Sequence, residues 1–353
     1  MIVSHHFACH GNYIGSNYNK NLIGVQFVYS ILLILGKVGV VTFILIGSYF
    51  LCKKDFTWYR PINLFIQMIF YSYTLFLIAI AFFPSLKKLV NLKTFLFPIP
   101  LPSGYWFVNS YLIMLLLIPL LNLIINSTNK RQLLFILYII FIVWNVFALL
   151  GNLFPGKLEF SSSTSYNNFS DYTEANYFLY IYLIGGYLRN YPPKWLNNLK
   201  KSLELLIVSI TVVIIFTAVF NTPNFYSLYA RFAIQLNNPF SLIISLFLFA
   251  TFKNFSLGKK TFINTVAKSM FGVYLIHDNT FVRIILWNYL INSSDFLKNG
   301  MYYFLMGIYY STLIFIICVF IDTIKRLLFN SYLNKLSEFI SLKLRKITNS
   351  LKP

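Results

Sequence analysis

The chain holds four histidines, and three of them, His5, His6 and His10, open it in the stretch MIVSHHFACHGN. The fourth, His277, lies far downstream in FGVYLIHDN. Imidazole is the side chain whose ordinary pKa, about 6.5, lets it take up or release a proton near neutral pH. His6 and His10 are four residues apart and would share a face of a helix. Three chemistries suit such a cluster. A histidine pair at this spacing can hold a metal, but the carboxylates and cysteines that usually complete a site are absent nearby, so none is expected. The imidazoles can instead be hydrogen-bonded as structural groups within a bundle. The third reading is a general base that removes a proton from a hydroxyl.

The elements that must position these groups are set by composition. Of the 353 residues, 58% are hydrophobic, 20% aromatic and only 11% charged. Soluble domains carry about 25% charged residues. Apolar runs of spanning length recur throughout, so the expected fold class is all-α, a polytopic membrane helix bundle. Spanning segments are expected near 1–12, 33–52, 62–83, 105–125, 132–150, 174–190, 203–220, 238–253, 267–290 and 302–323, about ten in all. The first is cut short, since a full crossing takes about 17 residues or more. The bundle is expected over 1–323, with a basic amphipathic tail helix over 324–353. In that tail Phe329, Leu333, Leu336, Ile340, Leu344, Ile347 and Leu351 fall on one face, which suits an anionic inner leaflet.

The net charge of +20 does not imply nucleic acid. The cations are scattered over short loops between apolar runs, which is the pattern that orients a membrane protein. Counting them places both termini in the cytoplasm of a bacterial cell membrane, the Phe-, Ile-, Asn-, Lys- and Tyr-rich usage suggesting an AT-rich genome. Lys87, Lys88 and Lys93 run against that orientation. Cys9, Cys52 and Cys318 have no redox or metal spacing and are expected to be small buried hydrophobes. No cleavable signal peptide is expected. The polar stretch 151–173 is expected as a connector outside the membrane, and Pro98, Pro100 and Pro102 as extended chain before the fourth span.

Ionisable groups within apolar segments are costly and so mark candidate sites. Besides the histidines these are Lys37, Glu174, Glu204, Asp278, Arg283 and Asp322. Glu174, Glu204 and Asp322 fall at span ends, where interfacial exposure accounts for them. Lys37 can snorkel outward or face a polar cavity. His277 and Asp278 are adjacent and cannot face each other on a helix, so the partners of both are expected from another helix. Gly36, Gly39 and Gly47 permit close approach of a helix or a ligand. Trp106 and Tyr111 suit interfacial anchoring, and also glycan contact.

Five stretches carry a resemblance: MIVSHHFACHG, GKVGVVTFILIGSYFL, WFVNSYLIMLLLIPLLN, YLIGGYLRNY and FGVYLIHDN. In this order, over nearly the whole chain, they resemble the acyltransferase-3 family of bacterial integral-membrane acyltransferases, which O-acylate surface glycans. The family's first helix carries a basic residue and, after ten intervening residues, the catalytic histidine. His6 matches that histidine best, with His5 the adjacent alternative. The basic position then falls ahead of Met1, which implies either a start further upstream or a copy without that group. Lys53, Lys54 and Arg60 occupy the region of the family's paired-arginine motif without its spacing. The resemblance implies acetyl-CoA as acyl donor, held near Lys53, Lys54 and Arg60, with no bound cofactor. It implies a sugar hydroxyl of a surface or lipid-linked polysaccharide as acceptor and His6 as base. His10, Lys37, Trp106, Tyr111, His277, Asp278 and Arg283 are possible substrate or support groups. The expected partners are thus acyl-CoA, glycan and membrane lipid, without nucleic acid. The rival readings are a transporter or flippase for lipid-linked oligosaccharide, and an inactive truncated member of the family.

Overall fold

The computed structural model describes residues 1–11, 18–90, 105–147, 149–150, 170–256, 258 and 260–350. Every regular element among them is helical. The polar stretch 151–169 and the three alternating prolines lie outside the described residues. The chain divides into two compact units.

The first unit comprises Met1–Lys54, Pro119–Gly258 and Ile291–Ser311. It is built on α2 (Ile23–Leu51), a helix of 29 residues with α1 (Ile2–His10) packed along it. Further elements of this unit are α6 (Lys130–Phe141), α7 (Ser170–Asn190), α8 (Leu199–Phe220), α9 (Tyr226–Ala233) and α10 (Pro239–Asn254). Helices α7 and α10 pack against α2. The second unit comprises Asp55–Ile118, Lys259–Leu290 and Thr312–Pro353. It contains α3 (Tyr59–Phe82), α4 (Trp106–Leu116), α11 (Thr261–Ala267), α12 (Met270–His277) and α13 (Thr280–Ile284). Two helices run through a unit boundary: α5 (Ile118–Ser127) and α14 (Gly300–Ser350).

Asparagine is the recurrent helix starter. Its short amide oxygen accepts from the N–H groups that the first turn leaves open. Asn198 accepts from Lys201, Asn238 from Phe240, and Asn279 from both Phe281 and Val282. Asn129 makes a full capping box: its side chain accepts from Arg131 and Gln132, and Gln132 Oε1 accepts from the Asn129 N–H.

Four helical stretches among the described residues are long and apolar enough to cross a membrane: Lys20–Leu51, Tyr59–Phe82, Leu199–Phe220 and Gly300–Thr348. Counting α4 and α5 as one span bent by 54° makes five. The expectation of about ten is therefore corrected. Apolar composition was continuous where the backbone is not. The helix begun in α6 widens into a π stretch at Ile142–Val146 and is described continuously only to residue 147. The 267–290 segment is broken into α12, α13 and a further π stretch, Ile285–Leu290. Helix α10 is apolar but only 16 residues long, about 24 Å against a hydrocarbon core of about 30 Å. The nine residues of α1 reach only about 13 Å. In the other direction, α2 starts ten residues earlier than its apolar run suggested.

Helix α14 carries both the last candidate span and the amphipathic stretch without a break, over 51 residues. Leu333 is buried, and Ser337 donates to Asn63 Oδ1 and Leu333 O. Phe329 packs on Phe70, and Trp58 Nε1 donates to Thr348. The C-terminal part of α14 thus lies along α3.

Candidate active site

In the first unit α1 is seated in α2 by the absence of a side chain. A Cβ on Gly36 would overlap the Cβ and ring of His5, and one on Gly39 would press on Ile2 at 3.0 Å. The close approach brings His5 Nδ1 to 3.0 Å from the carbonyl oxygen of Leu33. A carbonyl only accepts, so Nδ1 carries the hydrogen and Nε2 is the basic nitrogen of the neutral ring. Leu33, Gly36 and Lys37 lie at i, i+3 and i+4 on α2, so one face of that helix meets α1. Lys37 is buried, with electrostatic influence on His5.

The opposite side of α1 is held by residues from 291–311. Phe7 is fully buried, 5.3 Å from Tyr303 and 6.2 Å from Phe296 between ring centroids, and lies over the bare Cα of Gly307. A Cβ on Gly11 would overlap Ser293. Between these contacts the imidazoles form a row. The rings of His5 and His6 are 5.5 Å apart, and those of His6 and His10 4.9 Å. His5 and His6 are buried; His10 is partly exposed.

The far end of α2 gathers other stretches singled out in the sequence. A Cβ on Gly185 of YLIGGYLRNY would press against Ser48 and Tyr49. Arg189 stacks over the Tyr49 ring at 4.8 Å. Tyr182 Oη donates to Asn122 Oδ1, and Asn122 Nδ2 donates to the Lys54 carbonyl. Lys53 and Lys54 are exposed just past the end of α2.

The second unit holds the remaining candidates. His277 is buried, and its Nδ1 donates to the Val273 carbonyl at 2.6 Å. The expectation that its partner must come from another helix is thus corrected for Nδ1, whose acceptor is the i−4 carbonyl of its own helix. Asp278 Oδ1 pairs with Arg283 at 2.7 Å, and the same guanidinium donates to the Asp278 carbonyl. The pairing crosses from the end of α12 to α13, whose start is capped by Asn279. Asn279 Nδ2 also donates to Tyr105 Oη, which donates to the Leu275 carbonyl at 2.6 Å. Tyr111 stacks on Phe107, and the Trp106 ring meets Phe107 edge-on. Arg60 donates to the Asp55 carbonyl at 3.0 Å.

Asp322 departs from its expected interfacial place. It is 2% exposed. Because α14 continues past the apolar run, the carboxylate is enclosed: Tyr71 donates to Oδ1 at 2.6 Å, and Arg326 pairs with Oδ2 at 3.0 Å. Gly272 leaves room for it. Neighbouring Lys325 bonds to Gln67 and Asn330 and lies over the rings of Phe70 and Tyr71. Glu204 does sit exposed, paired with Lys201. Cys52 and Cys318 are buried and Cys9 partly so.

Sequence reasoning missed Tyr71 and Tyr105, and took in Asn122, Tyr182, Arg189 and Asn279 only as parts of longer stretches, without a role for any of them. The signal for the tyrosines and asparagines was hydrogen-bonding residues interrupting apolar runs, but Tyr and Asn recur so often here that none stood out.

No curated protein and no solved structure matches the chain. The acyltransferase-domain family known as acyltransferase-3 matches residues 1–330. That span takes in every stretch on which the resemblance rested, the histidine row on α1 included, so the chain belongs to the acyltransferase-3 family and is a membrane acyltransferase by kind.

Proposed function

We propose that this protein is a membrane O-acyltransferase that moves an acetyl group from acetyl-CoA to a sugar hydroxyl of a surface or lipid-linked polysaccharide, with His6 as general base. The observation that carries the reading is the imidazole row on α1, with His5 and His6 buried, α2 packed on one side of the helix and Tyr303 and Gly307 packed on its Phe7. A basic nitrogen in such a site can take the proton of a hydroxyl as its oxygen attacks the thioester carbonyl. The tetrahedral intermediate then collapses, the C–S bond breaks, and the imidazolium returns the proton to the departing thiolate. His5 is the alternative base, and its Nδ1 contact with Leu33 gives it the fixed tautomer that a base needs. Lys53 and Lys54, exposed at the end of α2, supply positive charge for the donor's phosphates.

The test compares O-acetyl groups on the host's surface glycan by NMR with and without the gene, and again with His6→Ala. The expected result is loss of the acetyl signals in both cases with the variant still present in the membrane. Unchanged acetylation with His6→Ala rejects His6 as the base, and unchanged acetylation without the gene rejects the reaction.

A further inference from the structure

Where α2 and α14 begin, their backbones nearly touch: a Cβ on Gly300 would lie 2.5 Å from the Gly24 carbonyl oxygen. Beside this contact lies an open groove of about 460 Å³, lined by Gly24, Phe27, Val28, Asn299, Met301 and Phe304 among others. Met301 is 69% exposed and Phe304 37%. Both helices are candidate membrane spans and both start here, so the groove opens at the level where apolar chain gives way to headgroup. Its walls are apolar apart from Asn299, whose side chain caps α14 by accepting from Tyr302.

The rim has the opposite character. Lys20 lies four residues before Gly24, and Lys298 two before Gly300; both are exposed. Lys298 leans over the Tyr302 ring at 5.1 Å. The nearby acid, Asp295, accepts from Asn292 within the preceding turn. The two helix starts add partial positive charge to that of the lysines. An apolar trough with a cationic lip is complementary to an amphiphile with a chain and an anionic head. Two residues of the trough are glycines, which keeps it open beside the helix contact.

We infer that this groove holds one chain of an anionic membrane phospholipid, with its phosphate headgroup between Lys20 and Lys298. The site is separate from the imidazole row and does not depend on the reaction proposed above.

The test is lipid retention by the full-length purified protein, read by native mass spectrometry with phosphatidylglycerol and with phosphatidylcholine of the same chains. Each lysine near a headgroup contributes about 1 kcal/mol, so the Lys20→Ala, Lys298→Ala double variant should bind phosphatidylglycerol about 30-fold more weakly. A Val28→Trp variant, which fills the trough, should weaken it while both lysines stay. Lys130→Ala, an exposed cation outside the groove's lining, should change nothing. Equal retention of phosphatidylcholine, or no effect of the double variant, would overturn the proposal. So would preferential retention of a polyprenyl phosphate, which would give the groove to a carrier lipid instead.

Discussion

His5 occupies the space that a side chain at position 36 would take, and it reaches the Leu33 carbonyl at 3.0 Å only because Gly36 has none. In a helix interior, alanine is ordinarily more stable than glycine by about 1 kcal/mol. Gly36→Ala should reverse that sign, because overpacking a tight contact costs about 1–3 kcal/mol. Gly39→Ala, which meets Ile2 Cγ1 at 3.0 Å and Met1 Cβ at 3.4 Å at the start of α1 rather than overlapping a buried ring, should cost less than Gly36→Ala. Thermal unfolding in detergent checks the ranking, and glycan acetylation should fall with Gly36→Ala before it falls with Gly39→Ala.

Tyr71 donates to a buried carboxylate on a distant stretch of the chain, joining α3 to α14. A hydrogen bond to a charged group contributes about 1.5–3 kcal/mol. Tyr71→Phe should therefore lower stability by about 2 kcal/mol. Asp322→Asn should cost more, since it also removes the charge facing Arg326. Gly272→Ala, whose new methyl would meet the same carboxylate, should resemble Asp322→Asn. A Tyr71→Phe variant as stable as wild type would show that the bond is not sustained.

The Asp278–Arg283 pair is unequal: the carboxylate side chain is 1% exposed and the guanidinium 25%. Removing one partner of a buried pair costs about 3–5 kcal/mol. The partial exposure of the arginine places Arg283→Met near the lower end, about 3 kcal/mol. Hydrogen exchange at 270–284 would report it as faster opening of α12 and α13, with Lys201→Met, in an exposed pair, as the neutral control.

If Lys53 and Lys54 bind the donor's phosphates, the double alanine variant should raise KM for acetyl-CoA several-fold and leave kcat nearly unchanged. The wild-type KM should rise with ionic strength, and that dependence should shrink in the variant. A fall in kcat alone would assign these lysines elsewhere.

Composition and residue order were enough to specify an all-helical membrane protein of the acyltransferase-3 family, because apolar runs and short ordered motifs are local properties of a chain. The row His5–His6–His10 was also legible, since a four-residue spacing fixes a shared helical face. The number of spanning helices was not. Hydropathy averages over about 20 residues, whereas a capping asparagine or an early stop breaks a helix within one turn. Nor could sequence reveal that Asp322 is enclosed by Tyr71 and Arg326, or that Gly36 exists for His5. Those relations join residues up to 251 positions apart, and only packing decides which side chains from distant helices come within bonding distance.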